Sequence, residues 1–224
     1  MLNIIIVDAE LEMVPKELWS FPDAISYSKR RSKKLSEVLL DSNYMHRAIE
    51  SVFPGESTRR GRPDIIHTLL LACQESILNK AGQLRVFIHT REDKVINVNP
   101  QTRIPRSFNR FEGLIEDLYK KRKIQNEGLV LLEMIESNLK EFISKSGFKN
   151  IRIFSPDEKV SSVSDAIGGS RDTTLIIGGF SEGEYRTDLD GLGNKYSIYP
   201  EELTIWTVAM EAICTYERLH KIIS

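Results

Sequence analysis

The sequence predicts an α/β fold with a largely parallel β-sheet. Short runs of apolar and β-branched residues, which favour buried strands, alternate along the chain with segments whose apolar residues recur at helical spacing. Leu2–Val7 is the first of these runs, and Thr173–Ile177 is another. The chain has 224 residues, of which 41% are hydrophobic, so it is long enough to form one compact domain with its own core.

The first half of the chain contains both strong and weak signals. In order, we predict a strand at 2–7, a helical turn at 11–18, an irregular segment at 20–34, helices at 36–52 and 63–82, and strands at 84–90 and 95–99. The helix at 63–82 has the clearest pattern, because Pro63 suits the first helical position and apolar residues recur at helical spacing until Gly82. The two strands after it are expected to pair across a charged turn.

The second half continues the same alternation. In order, we predict a helix that begins at Pro105, a helix at about 127–145, strands at 150–154, 173–177 and 196–199, and a closing helix at 201–222. The helix from Pro105 presents an apolar face made of Phe111, Leu114, Ile115 and Leu118. No internal repeat or low-complexity stretch interrupts these elements.

Positive charge is concentrated in four short segments. The formal net charge is -1, yet the segments KRRSKK (29–34), RRGR (59–62), RIPRSFNR (103–110) and KKRK (120–123) hold much of the Lys and Arg content, which totals 31 residues. Such local density creates a positive field over part of the surface, and phosphate backbones are its usual partner. For KKRK by itself, a solvated helix face is the better interpretation.

Several classes of protein do not fit this composition. No apolar run approaches the roughly 18 residues that a membrane span needs, and the N-terminus leads directly into a strand. We therefore expect a cytoplasmic protein with no membrane partner. Cys73 and Cys214 are the only cysteines, and the four histidines do not complete a zinc-binding spacing with them, so we expect no metal.

The segment RRGRPD (59–64) is the first candidate for chemistry. Pro63 places Arg62 at the mouth of a helix, and Asp64 lies in the first turn, where a carboxylate is favoured. A carboxylate at this spacing can brace the Arg62 guanidinium for binding to a phosphate or a base edge. Alternatively, Asp64 caps the helix and the arginines are solvated.

Three further arginines follow in RIPRSFNR. Arg106 and Arg110 are four residues apart, so both project from one helix face, and Arg103 precedes the turn. Their mutual repulsion is relieved by an anionic partner. Phe108 is open to either stacking on an unpaired base or packing, whereas Phe111 favours the core.

Glycines after the predicted strand at 173–177 are the third candidate. Gly178, Gly179 and Gly183 follow that strand, at the position where α/β folds bind cofactors. The spacing matches neither a Walker loop nor GxGxxG, and nearby glutamates disfavour a polyphosphate. A cationic or neutral polar ligand fits better, and an ordinary strand-to-loop turn is the alternative.

Four stretches together resemble a known family. RRGRPDIIH (59–67), IHTREDKVINVNPQTRIPRSFNRFEGL (88–114), LIIGGFSEG (175–183) and KYSIYPEELTIWTVAMEAICTYER (195–218) are similar to the pseudouridine-N1-specific ribosomal RNA methyltransferases, which also assist small-subunit assembly. The likeness is to the compact archaeal members of this SPOUT-class family. It implies one trefoil-knotted domain over 1–224, with insertions at about 20–60 and 91–105. It also implies S-adenosyl-L-methionine as cofactor, homodimers, small-subunit ribosomal RNA as substrate and contacts with ribosomal proteins.

The resemblance also implies roles for individual residues. Arg62 would contact the target base, held by Asp64, and both would belong to the catalytic site. The RNA-binding residues would be Arg62, Arg103, Arg106 and Arg110. The cofactor-binding residues would be Gly178, Gly183, Tyr196, Ser197, Ile198, Tyr199, Pro200 and Glu201.

Two other interpretations stay open. In one, the protein is a non-catalytic RNA-binding assembly factor that no longer uses a cofactor. In the other, the C-terminal glycines bind a dinucleotide in a small oxidoreductase, which the missing GxGxxG motif and the basic segments disfavour.

Overall fold

The computed structural model describes residues 1–222 as one sheet covered by helices. The strands are β1 (Leu2–Ala9), β2 (Leu84–Thr90), β3 (Lys94–Val98), β4 (Lys123–Asn126), β5 (Leu129–Glu136), β6 (Ile151–Phe154), β7 (Thr173–Gly178) and β8 (Asn194–Tyr196). The α-helices are α1 (Pro22–Arg31), α2 (Ser42–Val52), α3 (Pro63–Glu75), α4 (Ile77–Lys80), α5 (Phe108–Lys121), α6 (Leu139–Ser146), α7 (Val163–Ile167) and α8 (Ile205–Leu219). None of these helices is long and apolar enough to cross a membrane. The predicted domain runs to residue 224, so its last two residues lie outside the described part.

The sheet has the order β4-β5-β3-β2-β1-β7-β6-β8. Strands β2, β1, β7, β6 and β8 run parallel, and β3, β5 and β4 extend the β2 side in antiparallel fashion. The predicted α/β fold with a largely parallel sheet is therefore confirmed. Because β1, β7, β6 and β8 are parallel neighbours, their carboxyl ends meet at one edge of the sheet, where open α/β folds bind ligands.

The hairpin predicted from the charged turn is present. Strands β2 and β3 pair antiparallel with Val86 opposite Val98 and Ile88 opposite Ile96. The turn between them holds Asp93 at φ 55°, a left-handed conformation that Asp tolerates better than most residues. This pairing places residues 94–98 inside the main sheet.

The prediction of an irregular segment at 20–34 was wrong. Pro22 begins helix α1, and its position at the start of the helix removes an N–H that would have no helical partner there. The helix is weakly apolar, and contacts from distant parts of the chain hold it: Arg31 pairs with Glu112 and Glu116 of α5. Local periodicity carries no signal for such long-range ion pairs.

The helix predicted at about 127–145 was also largely wrong. Residues 129–136 form strand β5, which pairs with β3 on one side and β4 on the other. Gly128 at φ 83° closes the turn between β4 and β5. The helical part begins only at Leu139, where Asn138 accepts a hydrogen bond from the backbone N–H of Glu141. A short apolar run is compatible with a helix or a strand. Here the open edge of β3 favours the strand, because β5 pairs with it.

Helix boundaries in the first half differ from the prediction. The segment 11–18 contains only a 3-10 turn at Lys16–Leu18. Helix α2 begins at Ser42 rather than 36, and it bends at Met45. The predicted helix at 63–82 starts at Pro63 as expected but is broken at Ser76, whose hydroxyl caps the short helix α4.

Boundaries in the second half shift in the same way. Helix α5 begins at Phe108 rather than Pro105, so residues 103–107 form a loop. The short strand β8 ends at Tyr196, and the closing helix starts only at Ile205. Residues 197–204 are consequently a loop at the carboxyl edge of the sheet.

Apolar side chains form three clusters. The largest lies between one face of the sheet and helices α3, α5 and α8, with Ile4, Ile66 and Ile213 among its members. A second covers the opposite face with α6. The third is made only of residues between 14 and 53, which gives most of the segment around α1 and α2 a small core of its own.

Candidate functional site

A cavity of about 420 Å³ opens at the carboxyl ends of β6, β7 and β8. Its walls come from the loops that follow these three strands, at 155–158, 178–190 and 197–205. Of the predicted cofactor residues, the lining includes Gly178, Gly183, Tyr196, Ser197, Ile198, Tyr199 and Glu201. Pro200 is the one member of that set outside the lining. The fold thus brings together residues that two separate sequence segments supply.

Two glycines, at the start and the end of the loop between β7 and β8, allow this loop to approach the sheet closely. A Cβ on Gly179 would lie 2.7 Å from the Cα of Ala9, at the end of β1. A Cβ on Gly193 would collide with the carbonyl oxygen of Ile151 in β6. Because both obstacles are backbone, a side chain at either position requires the loop to move.

The cavity is strongly acidic. Its lining contains eight Asp and Glu residues and a single basic residue, Lys195. Some of these carboxylates are paired, as with Asp188, whose hydrogen bond from Lys140 lowers its pKa. Apolar residues such as Ile198, Leu203 and Ile205 complete the lining. This chemistry suits a ligand with a positive charge and an apolar moiety, and it disfavours the pyrophosphate of a dinucleotide.

Asp8 fastens the cavity's longest loop to the sheet. This buried residue lies near the end of β1. Its φ of 56° interrupts the extended conformation of the strand. Its carboxylate accepts hydrogen bonds from the backbone N–H groups of Arg186 (2.7 Å) and Thr187 (3.1 Å) and from the Thr187 hydroxyl (2.6 Å). Sequence reasoning missed Asp8, although a carboxylate directly after a buried strand was the available signal.

Arg62 and Asp64 form the predicted braced pair. Nε of Arg62 donates to Oδ1 of Asp64 at 2.9 Å, and Nη2 donates to Oδ2 at 2.8 Å. Both side chains keep about a third of their surface open, at 30% for Arg62 and 38% for Asp64. The hydrogen bond to Asp64 raises the pKa of Arg62. The guanidinium is therefore oriented by its neighbour and still accessible to a ligand.

The two preceding arginines serve a different purpose. Arg59 pairs with Glu10 (Nε–Oε1 3.0 Å) and Arg60 pairs with Glu12 (Nε–Oε1 2.6 Å), and both glutamates are buried. Arg91 adds a second contact to Glu10 at 2.6 Å. Burial raises the pKa of Glu10 in spite of these arginines. Arg59 and Arg60 are thus occupied by internal carboxylates, so the charge of RRGR is partly neutralised inside the protein.

Arg59 also connects this segment to the cavity. Its guanidinium carbon lies 3.9 Å from the ring centroid of Phe180, and Nη1 donates to the carbonyl of Glu184 at 2.6 Å. The hydroxyl of Ser181 donates to the carbonyl of Thr58 at 2.8 Å. The loop that carries Arg62 and the loop that lines the cavity are therefore physically joined.

Arg103, Arg106 and Arg110 are exposed at the start of α5. Within residues 1–222, none of the three has a carboxylate oxygen within 4.0 Å. The loop that carries Arg103 and Arg106 is held against α3, because His67 donates to the carbonyl of Pro105 at 2.7 Å. These arginines remain available for an anionic partner.

Phe108 and Phe111 both pack on His67. The Phe111 ring lies 4.6 Å from the His67 ring in a stacked arrangement, and Phe108 lies 5.7 Å from it in a tilted one. Phe111 is fully buried, as predicted, and Phe108 is half-buried against the main core. The sequence did not decide between base stacking and packing for Phe108, and in the structure this ring packs against the protein.

The KKRK segment behaves as the solvated face that was predicted for it. Each of its residues contacts a carboxylate, with N–O distances between 2.7 and 3.3 Å. The pairs are Lys120–Glu37, Lys121–Asp117, Arg122–Glu136 and Lys123–Glu133. No ligand is needed to explain this charge.

The chain is similar to known proteins over most of its length. Residues 4–217 match the family model described as EMG1/NEP1 methyltransferase. The chain is 45% identical over 218 residues to a Thermoplasma volcanium protein named ribosomal RNA small subunit methyltransferase Nep1, covering 97% of this chain and 98% of the relative. A Thermococcus onnurineus protein of the same name is 44% identical over 222 residues, with the same coverage.

A solved structure is similar over almost the entire chain. It is the crystal structure of Archaeoglobus fulgidus Nep1 bound to S-adenosylhomocysteine. The TM-score is 0.86 and the sequence identity is 29%, and the match covers 98% of this chain and 98% of that one. The family model and these relatives each match almost the entire chain. The chain belongs to the EMG1/NEP1 methyltransferase family.

Proposed function

We propose that this protein transfers a methyl group from S-adenosyl-L-methionine to N1 of a pseudouridine in small-subunit ribosomal RNA. One observation carries the proposal. The loop with the braced, accessible Arg62 contacts a loop that lines the acidic, glycine-containing cavity. Family membership supports the methyltransferase activity, and the names of the relatives support the RNA substrate. The Archaeoglobus fulgidus relative, with its S-adenosylhomocysteine, supports the cofactor.

The residues of the cavity fit this cofactor. S-Adenosyl-L-methionine carries a positive sulfonium and an ammonium group, and the acidic lining provides carboxylates for both. Ile198, Leu203 and Ile205 offer an apolar surface for the adenine ring. When bound, the cofactor supplies an electrophilic methyl group. Asp8 keeps the loop at 186–187 in place, so the cavity is formed in advance.

Arg62 acts on the base that receives the methyl group. N1 of pseudouridine carries a proton in the neutral base. Negative charge develops on the ring and its adjacent carbonyl as that proton passes to solvent water. A guanidinium at that carbonyl stabilises the charge. Asp64 is a poor general base, because both of its oxygens already accept hydrogen bonds from Arg62. Its role is to orient the guanidinium.

The remaining family expectations complete the proposal. Arg103, Arg106 and Arg110 bind the RNA backbone, and the domain works as a trefoil-knotted homodimer that also assists small-subunit assembly. Helix α8 supports the dimer, because Trp206 and Met210 lie one turn apart on it and both are only half-buried. The segments at about 20–60 and 91–105 are proposed as insertions, and the separate cluster within 14–53 supports the first of them.

Mass spectrometry of small-subunit ribosomal RNA after incubation with the protein and S-adenosyl-L-methionine tests the activity. We expect Arg62→Ala to slow methyl transfer on the order of 10²-fold to 10³-fold, the loss typical of one removed donor to a developing oxyanion. Asp64→Asn should cost about 10-fold to 100-fold, because the guanidinium loses its orientation.

Arg85→Ala is the matched control, since Arg85 is an exposed arginine near the amino end of β2, at the opposite edge of the sheet. Normal turnover in both Arg62→Ala and Asp64→Asn would refute the assignment. Calorimetry with S-adenosyl-L-methionine and S-adenosylhomocysteine separates the enzyme from a pure assembly factor, which should bind neither compound.

A further inference from the structure

We propose that a surface made of Tyr27, Arg30, Tyr44 and Asn109 binds an unpaired base of the RNA beside the target nucleotide. We call these four residues the tyrosine platform. The proposal rests on the proposed function, because it assigns a second contact for the same RNA. Tyr27, Arg30, Arg31, Tyr44 and Asn109 line one open depression, which is separate from the acidic cavity.

The lower layer of the platform is rigid. Tyr27 is 4% exposed, and its hydroxyl donates to Glu112 at 2.6 Å while it accepts from Nη1 of Arg31 at 2.9 Å. Arg31 is held in turn by both Glu112 and Glu116. The ring of Tyr27, a residue of α1, is therefore held against α5 before any ligand binds.

The upper layer is open to solvent. The Tyr44 ring stacks on Tyr27 with centroids 4.5 Å apart and an interplanar angle of 19°, yet 43% of Tyr44 is exposed. The Arg30 guanidinium lies 4.1 Å from the Tyr44 centroid and 5.3 Å from the Tyr27 centroid. With the two centroids 4.5 Å apart, these distances place Arg30 beside the pair and not beyond Tyr44. The outer face of Tyr44 can therefore receive a flat ring.

Charge around the platform favours a polyanion. Of the basic residues in 29–34, Arg31 and Lys33 are neutralised by glutamates of α5. Lys29, Arg30 and Lys34 are exposed, and within residues 1–222 no carboxylate oxygen lies within 4.0 Å of their charged groups. Two basic residues of this segment therefore hold α1 against α5, and the other three face solvent near the aromatic rings.

The platform is continuous with the Arg62 site. The backbone N–H of Ser42, at the start of α2, donates to the carbonyl of Gly61 at 2.9 Å. Tyr44 follows Ser42 by two residues, and Arg62 follows Gly61 directly. On the other side, Asn109 immediately precedes Arg110 on α5. A strand whose target base contacts Arg62 can therefore place a neighbouring nucleotide on Tyr44.

Unpaired bases are the chemical class that matches this surface. A free aromatic face with a guanidinium beside it stacks on any base, whereas bases inside a duplex are already stacked and present only their edges. The side-chain amide of Asn109 can both donate to and accept from a base edge. Exposed lysines nearby suit the adjoining phosphates.

Fluorescence anisotropy with a pseudouridine-containing hairpin tests the proposal. Loss of one base–aromatic stack should raise the Kd for RNA between about 5-fold and 150-fold in Tyr44→Ala, while Tyr44→Phe should stay near the wild-type value. Arg30→Gln should also weaken binding, because it removes the guanidinium beside the stacked rings. The Kd for S-adenosyl-L-methionine should not change in any of these variants.

Lys149→Ala is the charge control, because Lys149 is exposed just before the amino end of β6, across the sheet from this surface. A second arm replaces each loop nucleotide in turn by an abasic one. At the nucleotide that stacks on the platform, the abasic RNA should bind wild type and Tyr44→Ala equally. Unchanged RNA affinity in Tyr44→Ala, or equal coupling at every nucleotide, would overturn the platform. If wild type neither binds nor methylates the hairpin, the proposed function itself fails.

Discussion

At the scale of single residues, the structure separates arginines that hold the fold together from arginines that face a ligand. Arg59 and Arg60 each contact a buried glutamate, and an uncompensated charge would result if either partner were removed. Arg62 is braced by Asp64 but remains about one-third open. Neighbouring residues in one motif therefore have different tasks, and the difference lies in which carboxylates the fold brings to them.

Asp8 gives a sharp prediction at this scale. Asp8→Asn removes one of the oxygens that accept from the loop at 186–187 and leaves an amide where only donors face it. We expect the Kd for S-adenosyl-L-methionine, measured by calorimetry, to rise about 10-fold or more, since a lost hydrogen bond to a charged group costs roughly 1.5–3 kcal/mol. Thr187→Val should have a smaller effect because it removes only one hydrogen bond, and Asp117→Asn on α5 is the neutral control. Wild-type affinity in Asp8→Asn would show that this contact does not order the loop.

At the scale of elements, the cavity depends on how closely its loops approach the strands. The loops after β6, β7 and β8 come together because these strands are parallel neighbours. Gly179 and Gly193, at the two ends of the loop between β7 and β8, let that loop lie against backbone atoms. The loop at 55–62 is attached to the same edge through Arg59 and Glu56. Each loop is therefore positioned by contacts outside its own sequence.

The substitution Gly193→Ala tests the close approach of β8 to β6. The added Cβ would collide with the carbonyl oxygen of Ile151, and backbone must shift to relieve the clash. Overpacking of this kind costs typically about 1–3 kcal/mol, so thermal unfolding should occur at a lower temperature and cofactor affinity should fall. Gly169→Ala is the matched control, because its Cβ would have no atom within 4 Å and the backbone there needs no left-handed conformation. Equal melting temperatures for the two variants would contradict the clash.

The ion pairs of Glu56 predict a pH dependence. Burial opposes ionisation of Glu56, but the hydrogen bond and charge of Arg91 outweigh burial and lower its pKa. A carboxyl with a lowered folded pKa contributes stability above its unfolded pKa of about 4.3 and loses it as the pH falls through the folded pKa. In urea denaturation, the stability of wild type should therefore fall more steeply below about pH 5 than that of Glu56→Gln. Glu127→Gln, in an exposed turn, should follow wild type, and a constant difference between wild type and Glu56→Gln at all pH values would exclude this linkage.

At the scale of the whole molecule, the proposed catalytic surface crosses three parts of the chain. The acidic cavity belongs to the C-terminal strands, Arg62 to the start of α3, and the tyrosine platform to α1, α2 and α5. The acidic cavity and Arg62 lie at one edge of the sheet. Most of the tyrosine platform lies in the segment 14–53, which has its own small core. In the proposed function, the acidic C-terminal cavity binds the cofactor, and the basic residues of the earlier segments bind RNA.

The proposed homodimer is tested at the same scale. Met210 is a half-buried apolar residue on α8, in line with Trp206 and Cys214. Met210→Glu would place an unpaired charge in the contact, and we expect light scattering coupled to size exclusion to give a monomer mass. Glu211→Gln, an exposed neighbour on the same helix, should remain dimeric. A dimer mass for Met210→Glu would place the interface elsewhere.

Local patterns in the sequence were enough to predict the parallel strands, the helix that begins at Pro63 and the glycine loop after β7. These features depend on the side chains of consecutive residues, on proline and glycine backbone preferences and on apolar periodicity. The Arg62–Asp64 pair was predictable for the same reason, since its two members are two residues apart. The family motifs then connected these local features to one activity.

Only the tertiary structure decided the strand at 129–136, the helix at 22–31 and the division of the basic residues. β5 exists because β3 offers it an open edge, and α1 is held by glutamates of α5 far away in sequence. Arg59 is occupied by Glu10, whereas Arg30 and Tyr44 are left open beside Asn109. Charge and aromaticity are visible in a sequence, but whether they are neutralised depends on long-range contacts that form only when the chain folds.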